Sequence, residues 1–312
     1  MTALIIVAAM AASPVPVGRA PLAADGRTFH SPSRRFRAEV EHEARLGDFV
    51  PFRRFELRDA GGRLVYSRPG EGLTVLDISD QGAVVGAAFD GPVSGRAQLR
   101  FFGPAGTETG TAEVGFYGER AFSADGSRFL VNDGAAGLVV FSAAGRELGN
   151  LGPAYRFAAS ADAGLVAVTR GDTLALYRDC ELRGRAALPT RFIRELALSP
   201  DGGLVGWVER HGLRVLRTDD LAEVADWRPV ATDPEPVSLD LAGPGGPVLV
   251  GLGKSQGRCA VLLLGADGAE RWRSESVREN WNARTPRVRF GAGRTFAVEW
   301  PDEVETWRLE EE

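Results

Sequence analysis

Apolar residues in this chain come in short runs separated by polar turns rich in Ser, Asp, Gly and Pro. No stretch of useful length carries the 3.6-residue period of an amphipathic helix, so the pattern predicts strands throughout. One unit recurs along the chain. Each copy begins with an apolar strand ending in a Ser-x-Asp-Gly-like turn: His30-Ser31-Pro32-Ser33-Arg34, Ile78-Ser79-Asp80-Gln81-Gly82, Phe122-Ser123-Ala124-Asp125-Gly126 and Ala159-Ser160-Ala161-Asp162-Ala163-Gly164. Leu198-Ser199-Pro200-Asp201-Gly202, the degenerate Leu241-Ala242-Gly243-Pro244-Gly245-Gly246, and Phe290-Gly291-Ala292-Gly293 complete the series. The turn positions Arg34, Gly82, Gly126, Gly164, Gly202, Gly246 and Gly293 lie 38 to 48 residues apart, which makes seven units.

Pro at the second position presets φ, Asp caps the turn through its carboxylate, and Gly is expected to take the positive φ of a tight hairpin. A second strand follows, such as Leu204–Val208 or Phe129–Val131, then a third, such as Leu213–Leu216 or Leu138–Phe141. Another Gly- or Asp-bearing turn leads to a fourth strand that often holds an aromatic, as in Leu64-Val65-Tyr66 and Val224-Ala225-Asp226-Trp227. Four short strands per unit and seven units predict an all-β, seven-bladed β-propeller of four-stranded antiparallel blades, one domain over residues 13–312. The last unit runs out of chain after Glu303–Leu309, so its missing strand is expected from Pro14 to Phe29, as a clasp between the termini.

The unit Ile193-Arg194-Glu195-Leu196-Ala197-Leu198-Ser199-Pro200-Asp201-Gly202 resembles the WD40-like β-propeller repeat of TolB-type periplasmic and YVTN-type bacterial proteins. The resemblance runs from about Arg27 to Leu309 and implies a fold more than a function. The Gly-His and Trp-Asp dipeptides of true WD40 repeats are missing, Asp226-Trp227 being in reverse order.

Composition narrows the role. A chain of 312 residues builds a domain-sized core without needing a metal or disulfide to hold it. With 42 acidic against 37 basic residues, the net charge of -5 argues against a general nucleic-acid binder. His30, His42 and His211 fall in different units with no metal-ligand spacing, and no cofactor is expected. Cys180 and Cys259 lie two blades apart and are expected to be free thiols. Residues 1–12, MTALIIVAAMAA, are too short to span a bilayer and suit the apolar region of a signal peptide, although no basic residue precedes them. They predict export to the periplasm or medium, and a cytoplasmic location if the run is not a signal. The protein is not expected to be embedded in a membrane, and a monomer is expected.

Three sets of residues resemble chemistry. Gly253-Lys254-Ser255-Gln256-Gly257 has the letters of a nucleophile elbow and of the end of a P-loop, but it lies between two strands with no helix after it and is read as a hairpin loop. Asp77 and Asp240 stand two residues before their turns, where other units have Ala121, Ala158 and Ala197. Carboxylates near the axis need a donor, and Arg289 at the matching position of the last unit is expected to supply it. The third set is in the loops that enter each innermost strand, which repeatedly put an aromatic beside an arginine: Tyr117 with Arg120, Tyr155 with Arg156, Arg191 with Phe192, and Trp281 with Arg284. These loops share one face of a propeller, and the pairing offers a planar donor fork beside a stacking surface. The expectation is a non-enzymatic binding or scaffold propeller that engages a protein, peptide or glycan there. The alternative is a lactone or ester hydrolase with a carboxylate-bound Ca²⁺ in the channel.

Overall fold

The computed structural model describes residues 14–21, 28–32, 34–42, 51–89, 96–115, 118–134, 136–190, 192–230, 233–253, 258–277, 286–291, 295–300 and 303–309. These form 28 strands in seven four-stranded antiparallel sheets. The protein is a seven-bladed β-propeller. Blades 1 to 6 each take four consecutive strands, beginning at Thr28–His30, Val75–Ile78, Arg120–Phe122, Arg156–Ala159, Glu195–Leu198 and Glu235–Leu241. The first strands of neighbouring blades touch one another, which makes them the innermost. Blade 7 runs Arg287–Phe290, Thr295–Glu299, Glu303–Leu309, and its outermost strand is Pro14–Pro21, paired from Pro14 against Leu309 to Pro21 against Glu303. The N-terminal strand therefore closes the ring and covers an edge that would otherwise be open.

Continuous apolar runs become the middle strands because these are covered on both faces. Leu204–Glu209 and Val248–Gly253 are buried at every residue, whereas no residue of the outermost strand Glu181–Ala187 is buried. Six apolar clusters each join two adjacent blades, such as Leu176, Leu196 and Trp207 between blades 4 and 5, and Phe101 and Phe129 between blades 2 and 3.

The recurring turn is a buried polar knot. Ser123 Oγ, Ser160 Oγ and Ser199 Oγ each accept the amide five residues on (2.9, 3.0 and 2.9 Å) and donate to the aspartate two residues on (2.7, 2.7 and 2.6 Å). The aspartate in turn accepts the next free amide, Ser127 N, Gly164 N or Gly203 N. The left-handed residue is the third after the serine: Gly82, Gly126 and Gly202, but also Arg34 at φ 58° and Ala163 at φ 49°. Gly164, expected in that role, does not take a positive φ, because the amide that closes onto Ser160 O belongs to Ala163. In the sixth blade Gly246 is likewise not the left-handed residue. There Gly246 N closes onto Gly243 O, and Pro244-Gly245 take the central positions, with Gly245 at φ 73°, the residue pair a type II turn prefers.

Cys180 is half-buried, Cys259 is buried, and both are free. Gly253 pairs directly with Cys259 across two adjacent antiparallel strands, so Gly253-Lys254-Ser255-Gln256-Gly257 connects a hairpin, with residues 254–257 outside the described set. Among the described residues no helix is long and apolar enough to cross a membrane.

Candidate functional site

Each innermost strand runs from its entry loop to the serine turn, so the entry loops of all blades meet at one end of the channel. Side-chain alternation then sorts the strand. Residues one and three before the turn pack into the preceding blade, as Leu196 and Leu198 do. Residues two and four before it face the following blade. Four before the turn stand Glu119, Arg156, Glu195 and Arg287, in blades 3, 4, 5 and 7. Arg156 Nη1 lies 3.5 Å from Glu119 Oε1. Burial pushes the Glu119 carboxyl above its ordinary value, with Arg156 and Arg287 opposing, and burial does the same to Glu195 against Arg287 and Arg156. The channel mouth is thus lined by opposed charges of successive blades.

Below the mouth, Asp77, Asp240 and Arg289 make their hydrogen bonds to three different partners, while the charge of Arg289 still favours the Asp240 carboxylate. Asp77 Oδ2 accepts from Arg120 Nε at 2.6 Å, tying blade 2 to blade 3. Asp240 accepts the amides of Leu241 (2.9 Å) and Phe290 (2.6 Å), tying blade 6 to blade 7. Its burial still pushes the carboxyl up to about 6. Arg289 donates to Glu299 on the adjacent strand of its own blade. The reason is direction: residues two before the turn point to the next blade, so Asp77 and Asp240 bond to groups there.

Of the Arg and aromatic residues expected on the entry face, Tyr117, Arg191, Trp281 and Arg284 lie outside the described residues. Arg120 is engaged by Asp77, one blade back. Arg156 is half-exposed at the mouth beside Glu119. Tyr155 and Phe192 are 73% and 72% exposed. A third residue joins them: Val230, in the entry loop of blade 6, is 64% exposed. These are the three most exposed large apolar side chains among the described residues, and they stand on the same face of three successive blades. The remaining exposed ones, Leu64, Val65 and Leu182, belong to outermost strands.

Each of the three makes a backbone hydrogen bond. Tyr155 N donates to Thr169 O at 2.9 Å, Phe192 N to Thr190 Oγ1 at 3.1 Å, and Val230 O accepts from Asp233 N at 2.9 Å. Asp233 is itself gripped by both terminal nitrogens of Arg273 at 2.9 and 3.0 Å. Around them runs a charged rim in which Arg194 and Arg210 both meet Glu235 and Arg228 meets Glu209. Sequence reasoning passed over Val230 because it lacks an arginine neighbour of the repeated kind, and over Glu119 and Glu195 because their place shows only when counted back from the turn serine. A large branched apolar residue in the Pro-flanked linker Arg228–Pro234 was the available signal.

Comparison with known proteins agrees with the fold. No protein-family model matches the chain, and no curated protein matches it. Among solved structures, 1296 chains match, so the architecture is widespread and does not by itself select a function. One is KlHsv2 with loop 6CD replaced by a Gly-Ser linker, at 9% identity and a TM-score of 0.62 over 88% of each chain. At that identity the likeness shows the propeller fold alone.

Proposed function

We propose that this protein is a non-enzymatic binding propeller, of the WD40-like TolB or YVTN type, whose entry face over blades 4 to 6 engages an extended protein or peptide segment. The observation that carries the reading is the exposure of Tyr155, Phe192 and Val230 on three consecutive entry loops. Large apolar side chains held in water inside a rim of Arg and Glu match the apolar centre and polar border of a protein interface. The half-exposed Arg156 adds a donor fork at the inner edge. A carboxylate-bound Ca²⁺ finds less support, because Asp77 and Asp240 are held by Arg120 and by backbone amides. Export is part of the proposal: cleavage after Ala12 would leave the closing strand Pro14–Pro21 whole.

Selection from a phage-displayed peptide library tests the reading. Peptides enriched on the wild-type protein should bind the Tyr155→Ser/Phe192→Ser/Val230→Ser variant about 30-fold more weakly, about 2 kcal/mol, with the melting curve unchanged. Enrichment of the same peptides on the variant would place binding elsewhere.

A further inference from the structure

The interface between blades 7 and 1 is built differently from the rest. Among the described residues, the six apolar clusters fill the contacts from blades 1 and 2 through to blades 6 and 7. Between blades 7 and 1 there is instead a cleft of about 520 Å³, which opens at the turn end of the channel and reaches Asp80 and Gln81 of blade 2 and Ala124 of blade 3. The cause is visible in one strand. Leu204–Glu209 and Val248–Gly253 are buried on both faces, but Thr295-Phe296-Ala297-Val298-Glu299 alternates. Phe296 and Val298 pack toward blade 6, while Thr295, Ala297 and Glu299 turn to the cleft.

Three guanidiniums line that cleft, Arg34, Arg35 and Arg289, against two carboxylates, Asp80 and Glu299. Arg289 donates to Glu299, whereas Arg34 and Arg35 form no ion pair with a described residue. Burial and the like charge of Arg34 hold the Arg289 guanidinium below its ordinary value, with Asp80 opposing. Among the described lining residues the guanidiniums outnumber the carboxylates by one.

The backbone adds a second observation. Arg34 sits at φ 58° in the turn position that Gly82, Gly126 and Gly202 occupy in blades 2, 3 and 5. Folding alone favours glycine there, since the left-handed region crowds a Cβ. An arginine at this position holds its guanidinium at the cleft against that preference.

We propose that the cleft between blades 7 and 1 binds a small hydroxylated anion, a sugar acid or sugar phosphate, whose oxyanion is taken by Arg34 and Arg35. Guanidinium forks match carboxylate and phosphate oxygens equally well in geometry. Asp80, Glu299 and Thr306 supply partners for hydroxyl groups, and the volume lies in the range of small-molecule sites. This site is at the turn end of the channel, away from the entry face, and stands independently of the reading above.

Titration calorimetry of the full chain with D-glucuronate, glucose 6-phosphate and glucose tests it. At least one of the two anions should bind ten times or more tightly than glucose, and the tighter one identifies the anionic group. Arg34→Gly should weaken that binding at least tenfold while the melting temperature holds or rises, because the variant installs the residue that blades 2, 3 and 5 use. Arg35→Ala should weaken it as well. Equal affinities for all three compounds, no saturable binding, or undiminished affinity in Arg34→Gly would overturn the proposal.

Discussion

Arg120 Nε lies 2.6 Å from Asp77 Oδ2 across the contact between blades 2 and 3. Arg120 stands three residues before its turn and faces the preceding blade, Asp77 two before its own and faces the following one, so side-chain alternation on two neighbouring strands brings the pair together. Both side chains are mostly buried, and losing one leaves the other charge short of a partner.

Arg120→Ala is expected to lower stability by about 1 to 2 kcal/mol, and Asp77→Asn by a similar amount. Because they share one contact, the double variant should cost clearly less than the sum. Urea unfolding of the four proteins measures the cycle. Additive losses would show that the two residues act separately.

Asp240 makes stability depend on pH. Its folded pKa of about 6 lies above the ordinary value of 3.8, so between those limits the folded state binds more protons than the unfolded state. Stability from this group therefore falls as pH rises from 4 to 6, the sign opposite to that of a salt-bridged carboxylate. Relative to Asp240→Asn, the wild type should gain about 2 to 3 kcal/mol as pH drops from 8 to 4. Urea midpoints of both proteins across that range check the sign, and parallel curves would contradict it.

The closing strand offers a third expectation. Removing residues 1–21 strips Pro14–Pro21 from blade 7 and exposes the edge of Glu303–Leu309. The melting temperature should drop by several degrees and turbidity should rise on heating, since an open edge is a template for pairing between chains. An unchanged melting curve and clear solution would mean that the ring holds without its clasp.

Much of this architecture was legible in the chain itself. Seven recurring turns set the number of blades, the clearest of them, at Ser123, Ser160 and Ser199, combining a side-chain oxygen, a carboxylate and a left-handed residue within six residues. The shortfall of one strand after Leu309 pointed to the N-terminal clasp. Even the cleft was written locally, in the alternation from Thr295 to Glu299 where the second strands of blades 2 to 6 run largely apolar. Where local chemistry was ambiguous the reading slipped. Beside Gly164, the hydrogen bond to Ser160 O selected Ala163, and beside Gly246 the Pro244-Gly245 pair recentred the turn.

Tertiary structure decided the partners. A two-residue period says that Asp77, Asp240 and Arg289 occupy equivalent places, but not that each faces the next blade instead of the axis. That direction follows from how twisted sheets pack around a ring, and it assigned Asp77 to Arg120, Asp240 to the Phe290 amide, and Arg289 to Glu299. The same packing brought Tyr155, Phe192 and Val230, residues separated by about forty positions, onto one face, because exposure depends on what the neighbouring blade covers and no local pattern records it.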